Sequence, residues 1–181
     1  VELMGQTRDD AAGEAFDKVA KMLELGYPGG SVIDRISRAG DPGRIKFPRT
    51  YLDKSEFDFS FSGIKTAVNR YIMTHKDRIE DQTPDIAAGF QEAIMDVLCY
   101  KAIHAAMVKG CNRIALVGGV AANSRLREKL RSDARHQGIR VHIPSLHLCG
   151  DNAAMIASVG YHYLNAGIVS DFKDDVFSKN R

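Results

Sequence analysis

Apolar residues recur at helical spacing over most of the chain. Phe16, Val19 and Leu23 share one face of a first predicted helix, over about residues 10–25. The carboxylates of Asp9 and Asp10 are expected to cap the start of this helix, and Gly26 to end it. The same periodicity predicts further helices at about residues 31–36, 64–74, 85–109, 123–137 and 150–163. A polar break over 75–84 is predicted between the helix at 64–74 and the helix at 85–109.

The hydrophobic period changes after the long helix at 85–109. Residues 113–117, Arg-Ile-Ala-Leu-Val, predict a short apolar strand of the kind found in a sheet that is covered on both faces. A second strand is predicted at 140–143, and because a helix connects the two, they should run parallel in an α/β arrangement. Residues 40–61 predict an ordered surface loop or a pair of short strands, and the tail after Gly167 should lie on the surface.

Composition narrows the class of protein without identifying a function. The 181 residues, 44% hydrophobic and 27% charged, suffice for one domain or one lobe of a larger protein. No apolar run reaches the ~20 residues that span a bilayer, and the first residues do not resemble a signal peptide. Three irregularly spaced cysteines indicate a reducing compartment, with Cys99 and Cys111 expected as small buried side chains. The net charge of +2 neither requires nor excludes a nucleic-acid partner.

The first candidate ligand site is the segment 118–123, where a predicted strand becomes a helix. Gly118 and Gly119 would let a ligand approach the backbone, and the helix start would offer unpaired N–H groups. Ligands of open α/β sheets bind at this edge. The alternative is a tight turn in which Asn123 caps the helix. A P-loop is excluded, because no Gly-x-x-x-x-Gly-Lys-Ser/Thr occurs.

Aspartates near glycines are the other candidates. Asp17 lies inside the first helix, and Asp34 follows Gly30 by four residues. Both carboxylates could accept hydrogen bonds from ribose hydroxyls, although isolated aspartates on helices are commonly solvated. Asp151 precedes the last predicted helix, where it would either bind a metal beside a nucleotide or simply cap the helix. Spacing alone leaves these alternatives open.

Several catalytic and metal-binding patterns are absent from the sequence. The six histidines form neither His-Glu-x-x-His nor His-x-x-x-His, and no Gly-x-Ser-x-Gly nucleophile turn occurs. Arg127, Arg131 and Arg135 recur every four residues and could offer a basic stripe to RNA phosphates. The interleaved Glu128 and Asp133 favour instead a solvated helix face.

Five segments, taken together, resemble one known family in their order and spacing. They are Asp-Asp-Ala-Ala-Gly-Glu-Ala-Phe-Asp-Lys at 9–18, Gly-Tyr-Pro-Gly-Gly at 26–30, Asp-Phe-Ser-Phe-Ser-Gly at 58–63, Gly-Gly-Val-Ala-Ala-Asn at 118–123 and Asp-Asn-Ala-Ala-Met-Ile-Ala at 151–157. The chain therefore resembles the TsaD family of tRNA threonylcarbamoyladenosine synthases, once described as O-sialoglycoprotein endopeptidases. The resemblance covers essentially the whole chain.

The resemblance implies an actin-like, sugar-kinase-like α/β fold of two lobes, the ASKHA nucleotide-binding fold. Residues 1–181 would be the C-terminal lobe, with an α/β core at roughly 1–30 and 85–167 and a helical insertion at roughly 31–84. The abrupt start at residues 1–5, which is typical of a strand end, supports the expectation of a fragment. The family's His-x-x-x-His helix and Ser-Gly-Gly-His phosphate loop belong to the first lobe and do not occur in this sequence.

The resemblance also implies a reaction. In that family threonylcarbamoyl-AMP is bound between the lobes, the N6 amine of the adenosine beside the tRNA anticodon attacks the carbamoyl carbonyl, and AMP leaves. By motif, Asp17, Gly30 and Asp34 would contact the nucleoside. Asn123, in the turn with Gly118 and Gly119, would hold the adenylate.

A divalent metal, iron in the first place or zinc, is implied for the complete subunit, with Asp151 as one ligand. Because one carboxylate cannot hold such an ion tightly, the chain alone is expected neither to retain it nor to catalyse the transfer. The implied partners are threonylcarbamoyl-AMP, tRNA, a paralogous actin-like subunit and the ATPase of the same complex. The implied location is the bacterial cytoplasm, away from membranes.

Two other activities and one non-catalytic role stay open. An actin-like small-molecule kinase would use the same glycine turn and acidic helix starts, but not the segments around Asp17 and residues 60–63. The historical label, metalloendopeptidase, would require a His-Glu-x-x-His motif or an evident general base, and the sequence shows neither. A lobe that only docks a paralogous subunit is compatible with the family.

Overall fold

A computed structural model describes residues 2–53, 56–171 and 173 of the chain. Two short strands, β1 (Arg113–Ala115) and β2 (Arg140–His142), pair in parallel with Ile114 opposite Val141, as the sequence predicts. Helical turns at Ser37–Ala39, Lys76–Arg78, Gly119–Ala122 and Leu146–Leu148 connect the main elements. The six α-helices of this part of the chain are α1 (Ala12–Met22), α2 (Gly29–Ile36), α3 (Ser62–Thr74), α4 (Ile79–Val108), α5 (Ser124–His136) and α6 (Ala153–Asn165).

Helix α4 is the centre of the core. It is apolar over most of its circumference, which is typical of a helix surrounded by others, and α2, α3 and α5 pack around it. Phe90 is fully buried and meets the edge of Phe16 from α1, with ring centroids 5.1 Å apart. The core prediction for this helix is thus confirmed.

Helix α3 ends at Thr74 and α4 begins at Ile79, so the predicted polar break exists at 75–78 but its extension over 79–84 is wrong. Pro84 lies inside the helix, where its missing N–H removes one backbone hydrogen bond. Tertiary and local contacts hold the additional turn, because the Tyr71 hydroxyl donates to Gln82 at 2.9 Å and the Thr83 hydroxyl donates to the Ile79 carbonyl at 2.7 Å. Neither contact is visible in the hydrophobic pattern.

The sheet is covered on one face only by the residues that the structure describes. Ile114 and Val141 pack against the core, whereas their neighbours in both strands are exposed. Val117, predicted as the last strand residue, lies beyond β1 and is 73% exposed. The expectation of a sheet buried on both faces is therefore wrong for this part of the chain, because only the face that carries Ile114 and Val141 meets the core.

The acidic residues before α1 do not cap it. The N-cap position is Ala11. Asp9 instead accepts hydrogen bonds from the Ser60 hydroxyl at 2.5 Å and the Phe61 amide at 2.8 Å, and Asp10 pairs with Lys65 at 2.8 Å. Both carboxylates therefore fasten the start of α1 to the start of α3, a long-range role that local capping rules could not predict.

Helix α1 also ends earlier than predicted. Its last residue is Met22, and Glu24 rather than Gly26 adopts the left-handed conformation that closes it, with φ of 56°. The Leu25 amide then donates to the Ala20 carbonyl at 2.9 Å, which is the long bond of a Schellman-type ending. Gly26, with φ of 87°, belongs to the following turn.

The segment 40–61 is ordered where described, but its inner side belongs to the core. Ile45 and Phe47 are buried. Lys101 of α4 is 1% exposed and donates to the carbonyls of Glu56 at 2.8 Å and Asp58 at 2.5 Å. Within the described residues this segment contributes one isolated bridge, from Phe59 to Thr7, so of the two predicted alternatives the loop is observed and the strand pair is not.

The cysteines divide into two environments. Cys99 is buried as predicted, and burial raises the pKa of its thiol to about 12. Cys111 is exposed, so its prediction is wrong, because it lies in the turn between α4 and β1 rather than on a packed helix face. Cys149 is 3% exposed.

Helix α6 lies on the outside of the described structure. None of its side chains is buried, and Ile156 and Leu164 are 67% and 66% exposed. Ile168 and Val169, which follow it, are exposed as predicted, and most of the remaining tail lies outside the described residues. None of the described helices has both the length and the hydropathy to cross a membrane.

Candidate ligand-binding site

Asp17 and Gly30 lie together at the start of α2. From α1, the Asp17 carboxylate accepts a hydrogen bond from the Gly29 amide at 2.8 Å and so satisfies the first N–H of α2. Gly29 packs so closely that a Cβ there would lie 2.7 Å from Ala20. At Gly30, by contrast, no described atom lies within 4 Å of where a Cβ would be. Gly30 therefore faces open space.

A cleft of about 480 Å³ opens beside Asp17. Charged side chains of α1 line it together with the exposed ring of Tyr27. The second oxygen of Asp17 makes no hydrogen bond to any residue that the structure describes. A ligand hydroxyl in this cleft would find an acceptor there.

Asp34 connects α2 to the start of α5. One of its carboxylate oxygens accepts from the Ser124 amide at 3.1 Å and from the Ser124 hydroxyl at 2.7 Å, while the other accepts from Arg38 at 3.1 Å. Negative charge at a helix start is favourable because of the helix dipole. Since Asp34 is only 9% exposed and both oxygens are engaged, its primary contact is with the protein itself.

Asn123 caps α5, as one of its two predicted roles requires. Its Oδ1 accepts from the Leu126 amide at 2.9 Å, and its Nδ2 donates to Gln91 Oε1 at 2.7 Å. Ser124 and Leu126 thus have partners for their backbone N–H groups, so the expectation of unpaired N–H groups at this helix start is wrong for these two residues. One hydrogen of the Asn123 amide remains for a ligand.

Gln91 closes a ring of hydrogen bonds that sequence inspection missed. Its Nε2 donates to the Ser37 hydroxyl at 2.8 Å, and that hydroxyl donates to the Asp34 carbonyl at 3.1 Å. We call the set Asp34, Ser37, Gln91, Asn123 and Ser124 the polar ring. A usable signal existed, because Gln91 is a lone amide within an apolar stretch of α4 and a buried amide requires partners.

Gly118 and Gly119 form an exposed turn beyond β1. Gly118 has φ of 88°, a conformation that favours glycine. The position of a Cβ at either glycine has no described atom within 4 Å. Val120 packs at 3.6 Å from the Cβ position of Gly13, so the turn lies against the first turn of α1. The structure thus leaves room for a ligand at the turn itself.

Arg127 does not belong to a basic stripe. Its guanidinium donates to the Ala121 carbonyl at 3.0 Å and to the Pro144 carbonyl at 2.8 Å, and it lies 3.6 Å from the sulfur of Cys149. The solvated helix face predicted for it is therefore wrong at this position. Arg131 and Arg135, one and two turns further along α5, are exposed as that prediction requires.

Asp151 does not cap α6. The cap is Asn152, whose side chain accepts from the Met155 amide at 3.0 Å, and Asp151 is an exposed residue just before it. Within the described residues no three histidine, cysteine, aspartate or glutamate side chains are grouped as a metal would need. Asp151 alone therefore does not fit a metal centre, since metal sites need several ligands.

The predicted residues fall into a connected arrangement. Hydrogen bonds connect Asp17 to the start of α2, and Asp34 and the polar ring connect α2 to Asn123. The glycine turn lies against α1. Arg127 connects this turn to the loop that precedes Asp151. The parallel strand pair leads into the open glycine turn, at the sheet edge where open α/β sheets bind their ligands.

Comparison with known proteins identifies the family. The family model of TsaD, tRNA N6-adenosine threonylcarbamoyltransferase, matches residues 1–158. The chain belongs to this family, as the resemblance of its five segments predicts.

Individual relatives agree with this assignment. Proteins named tRNA N6-adenosine threonylcarbamoyltransferase from Desulforapulum autotrophicum and Thermotoga neapolitana are 53% and 50% identical to it, over 99% and 93% of the chain. These matches cover 54% and 50% of the two relatives, and a Clostridioides difficile protein of the same name is 48% identical over 94% of the chain and 51% of its own length. The chain thus spans about half the length of the curated relatives it matches.

Proposed function

We propose that this chain is one lobe of an actin-like, sugar-kinase-like enzyme of the ASKHA class and supplies half of a site for threonylcarbamoyl-AMP. The complete enzyme would transfer the threonylcarbamoyl group to N6 of the adenosine beside the tRNA anticodon. The bond that breaks joins the carbamoyl carbon to an oxygen of the adenylate phosphate, and the new bond joins that carbon to N6. Family membership supports the reaction, and the half-length match supports a single lobe.

This proposal rests on one observation. Helix α2 and the polar ring connect Asp17, Gly30, Asp34 and Asn123. Residues that are far apart in sequence become neighbours in one hydrogen-bonded unit. Preorganised groups of this kind bind a ligand without further ordering cost. Backbone conformation accounts for glycine at 118, where φ is 88°, but not for the open Cβ positions at Gly30 and Gly119.

Each residue would have a distinct role in holding the adenylate. Asp17 would accept a hydrogen bond from the ribose through its second oxygen, beside Gly30. The open turn at Gly118 and Gly119 would receive the phosphate, because neither glycine carries a side chain to exclude it. Asn123 would donate its remaining amide hydrogen. Asp34 would act through Ser124 and the start of α5.

The proposed helical insertion would need other boundaries if both flanking helices belong to the core. The roughly 31–84 segment would begin inside α2 and end inside α4. An insertion between those two helices, over about residues 37–78, would leave both intact. The core would then contain α1, α2, α4, α5, α6 and the two strands.

A metal would be bound only by the complete enzyme. Asp151 would give one ligand, and the others would come from outside this chain. Within the enzyme the ion would polarise oxygens of the substrate. Its identity as iron or zinc, the paralogous subunit, the ATPase and the cytoplasmic location are proposals that family membership suggests.

Two measurements test this function. The isolated chain should bind AMP, with NMR signals of the glycine turn, the Asp17 region and Asn123 shifting together. It should transfer no threonylcarbamoyl group from threonylcarbamoyl-AMP to tRNA, whereas the full-length Thermotoga neapolitana relative should do so in parallel. Turnover by the isolated chain would contradict the single-lobe proposal. AMP-dependent shifts confined to other surfaces would contradict the proposed site.

A further inference from the structure

Arg127 occupies a position where an arginine is electrostatically unfavourable. It is the fourth residue of α5, and the positive end of the helix dipole disfavours a cation in the first turn. No ion pair joins it to a residue within the described ranges. The contacts of its guanidinium with two carbonyls and a sulfur must therefore compensate for this placement.

Those contacts link two separate parts of the chain. The Ala121 carbonyl, at 3.0 Å, belongs to the turn that follows Gly118 and Gly119. The Pro144 carbonyl, at 2.8 Å, and the sulfur of Cys149, at 3.6 Å, belong to the loop between β2 and α6. One planar guanidinium thus sets the spacing between the glycine turn and this loop, because its donors point in fixed directions.

The loop fastened in this way leads directly to Asp151. Cys149 is 3% exposed and lies in contact with Arg127, and Asp151 is two residues further along. Two residues span at most about 7 Å of chain. The position of Asp151 relative to the turn therefore depends on how firmly Arg127 holds Cys149 and Pro144.

We propose that Arg127 is a positioning residue that holds the loop bearing Asp151 against the glycine turn, and so sets the geometry between the adenylate and the Asp151 carboxylate. The functional part of this proposal rests on the proposed function. The structural part concerns Arg127, Ala121, Pro144 and Cys149 alone and is tested independently of any activity.

Thiol labelling gives a local readout with internal controls. The three cysteines of wild-type, Arg127→Lys and Arg127→Gln chains are labelled with iodoacetamide, and the rate at each site is followed by peptide mass spectrometry. Cys111 is exposed and reports the reagent, whereas Cys99 is buried and reports global opening. Arg131→Gln is the matched control, since Arg131 lies one turn further along the same helix and is exposed.

The glutamine variant should label Cys149 about tenfold faster or more, which corresponds to about 1.4 kcal/mol of local opening free energy. The lysine variant should be intermediate, because an ammonium cannot hold both carbonyls in one plane. Rates at Cys111 and Cys99 should stay unchanged in every variant. Unchanged labelling of Cys149 in the glutamine variant would overturn the proposal, and faster labelling at Cys99 as well would show general destabilisation instead of a clamp.

AMP affinity tests the functional part. NMR titration of the same variants with AMP should show weaker binding for Arg127→Gln, partial rescue for Arg127→Lys and no change for Arg131→Gln. Faster Cys149 labelling with unchanged AMP affinity would reduce Arg127 to a structural contact and overturn its positioning role. If the wild-type chain binds no AMP, the proposed function fails, while the labelling result still decides whether the clamp exists.

Discussion

Replacing Gln91 with methionine tests whether the polar ring stabilises the fold. The two side chains have similar length and volume, so packing on α4 should be retained. The substitution removes both hydrogen bonds of the amide, which leaves the Nδ2 group of Asn123 without its acceptor and the Ser37 hydroxyl without its donor. Gln91, Ser37 and Asn123 are 5%, 6% and 8% exposed, so water replaces neither partner easily.

The magnitude follows from these contacts. An unsatisfied buried polar group costs about 1–3 kcal/mol, and we take about 2 kcal/mol for Asn123 and about 1 kcal/mol for Ser37, because Ser37 keeps its bond to the Asp34 carbonyl. Burial of the methionine side chain returns roughly 1 kcal/mol of hydrophobic stabilisation. We therefore expect the free energy of unfolding to fall by about 2 kcal/mol.

Urea unfolding followed by circular dichroism measures this change. With an m-value of about 2 kcal/mol/M, the midpoint should fall by about 1 M. Gln82→Met is the matched control on the same helix, because Gln82 makes one partly buried bond, to Tyr71, and should lose at most about 1 kcal/mol. A Gln91→Met chain within about 0.5 kcal/mol of wild type would refute the cooperative role of the ring.

Two further predictions concern stability. Asp9 is exposed, and the desolvation that raises its pKa is outweighed by hydrogen bonds from Ser60, Phe61 and Ser62, which lower the pKa from 3.8 to about 2. The contribution of the Asp9 carboxylate to the free energy of unfolding is therefore complete above about pH 4 and is lost as the pH falls towards 2. The free energies of unfolding of wild type and Ser60→Ala, measured in urea, should consequently differ more at pH 6 than at pH 2. A difference that does not depend on pH would contradict this. Gly89→Ala should destabilise the fold by about 1–3 kcal/mol because its Cβ would overlap the Ile45 carbonyl. Gly160→Ala is the control, because no described atom lies near its Cβ position, and it should stabilise α6 by about 0.5–1 kcal/mol. If the two variants changed the melting temperature equally, helix propensity alone would decide the effect of an alanine.

The hydrophobic pattern was sufficient to predict the elements that are stabilised by contacts between neighbouring residues or that are buried along most of their length. The α4 core stretch, α5 with its Asn123 cap and the parallel strand pair were all predicted, because repeated apolar positions and a side-chain cap act over a few residues. The family segments likewise led to the correct family, which the matching family model confirms. The roles of Asp17, Gly30, Asp34 and Asp151 as ligand contacts stay predictions.

The errors share a physical cause. Asp9 and Asp10 were assigned to the nearest helix start, but a carboxylate accepts whichever donors the fold brings closest. For Asp9 these are Ser60 and Phe61, some fifty positions away. Arg127 was treated as a surface charge because periodicity does not reveal which carbonyls face a side chain.

What the sequence by itself determined is the type and order of the main elements, the buried faces of α1 and α4, and the family. Periodicity, turn residues and short motifs are properties of neighbouring positions, and they survive without knowledge of the fold. Tertiary structure decided where each polar side chain finds its partner, including the ring through Gln91 and the clamp of Arg127. Those partners are set by the packing of α1, α2, α4 and α5, because hydrogen bonds form between groups that the whole chain brings together.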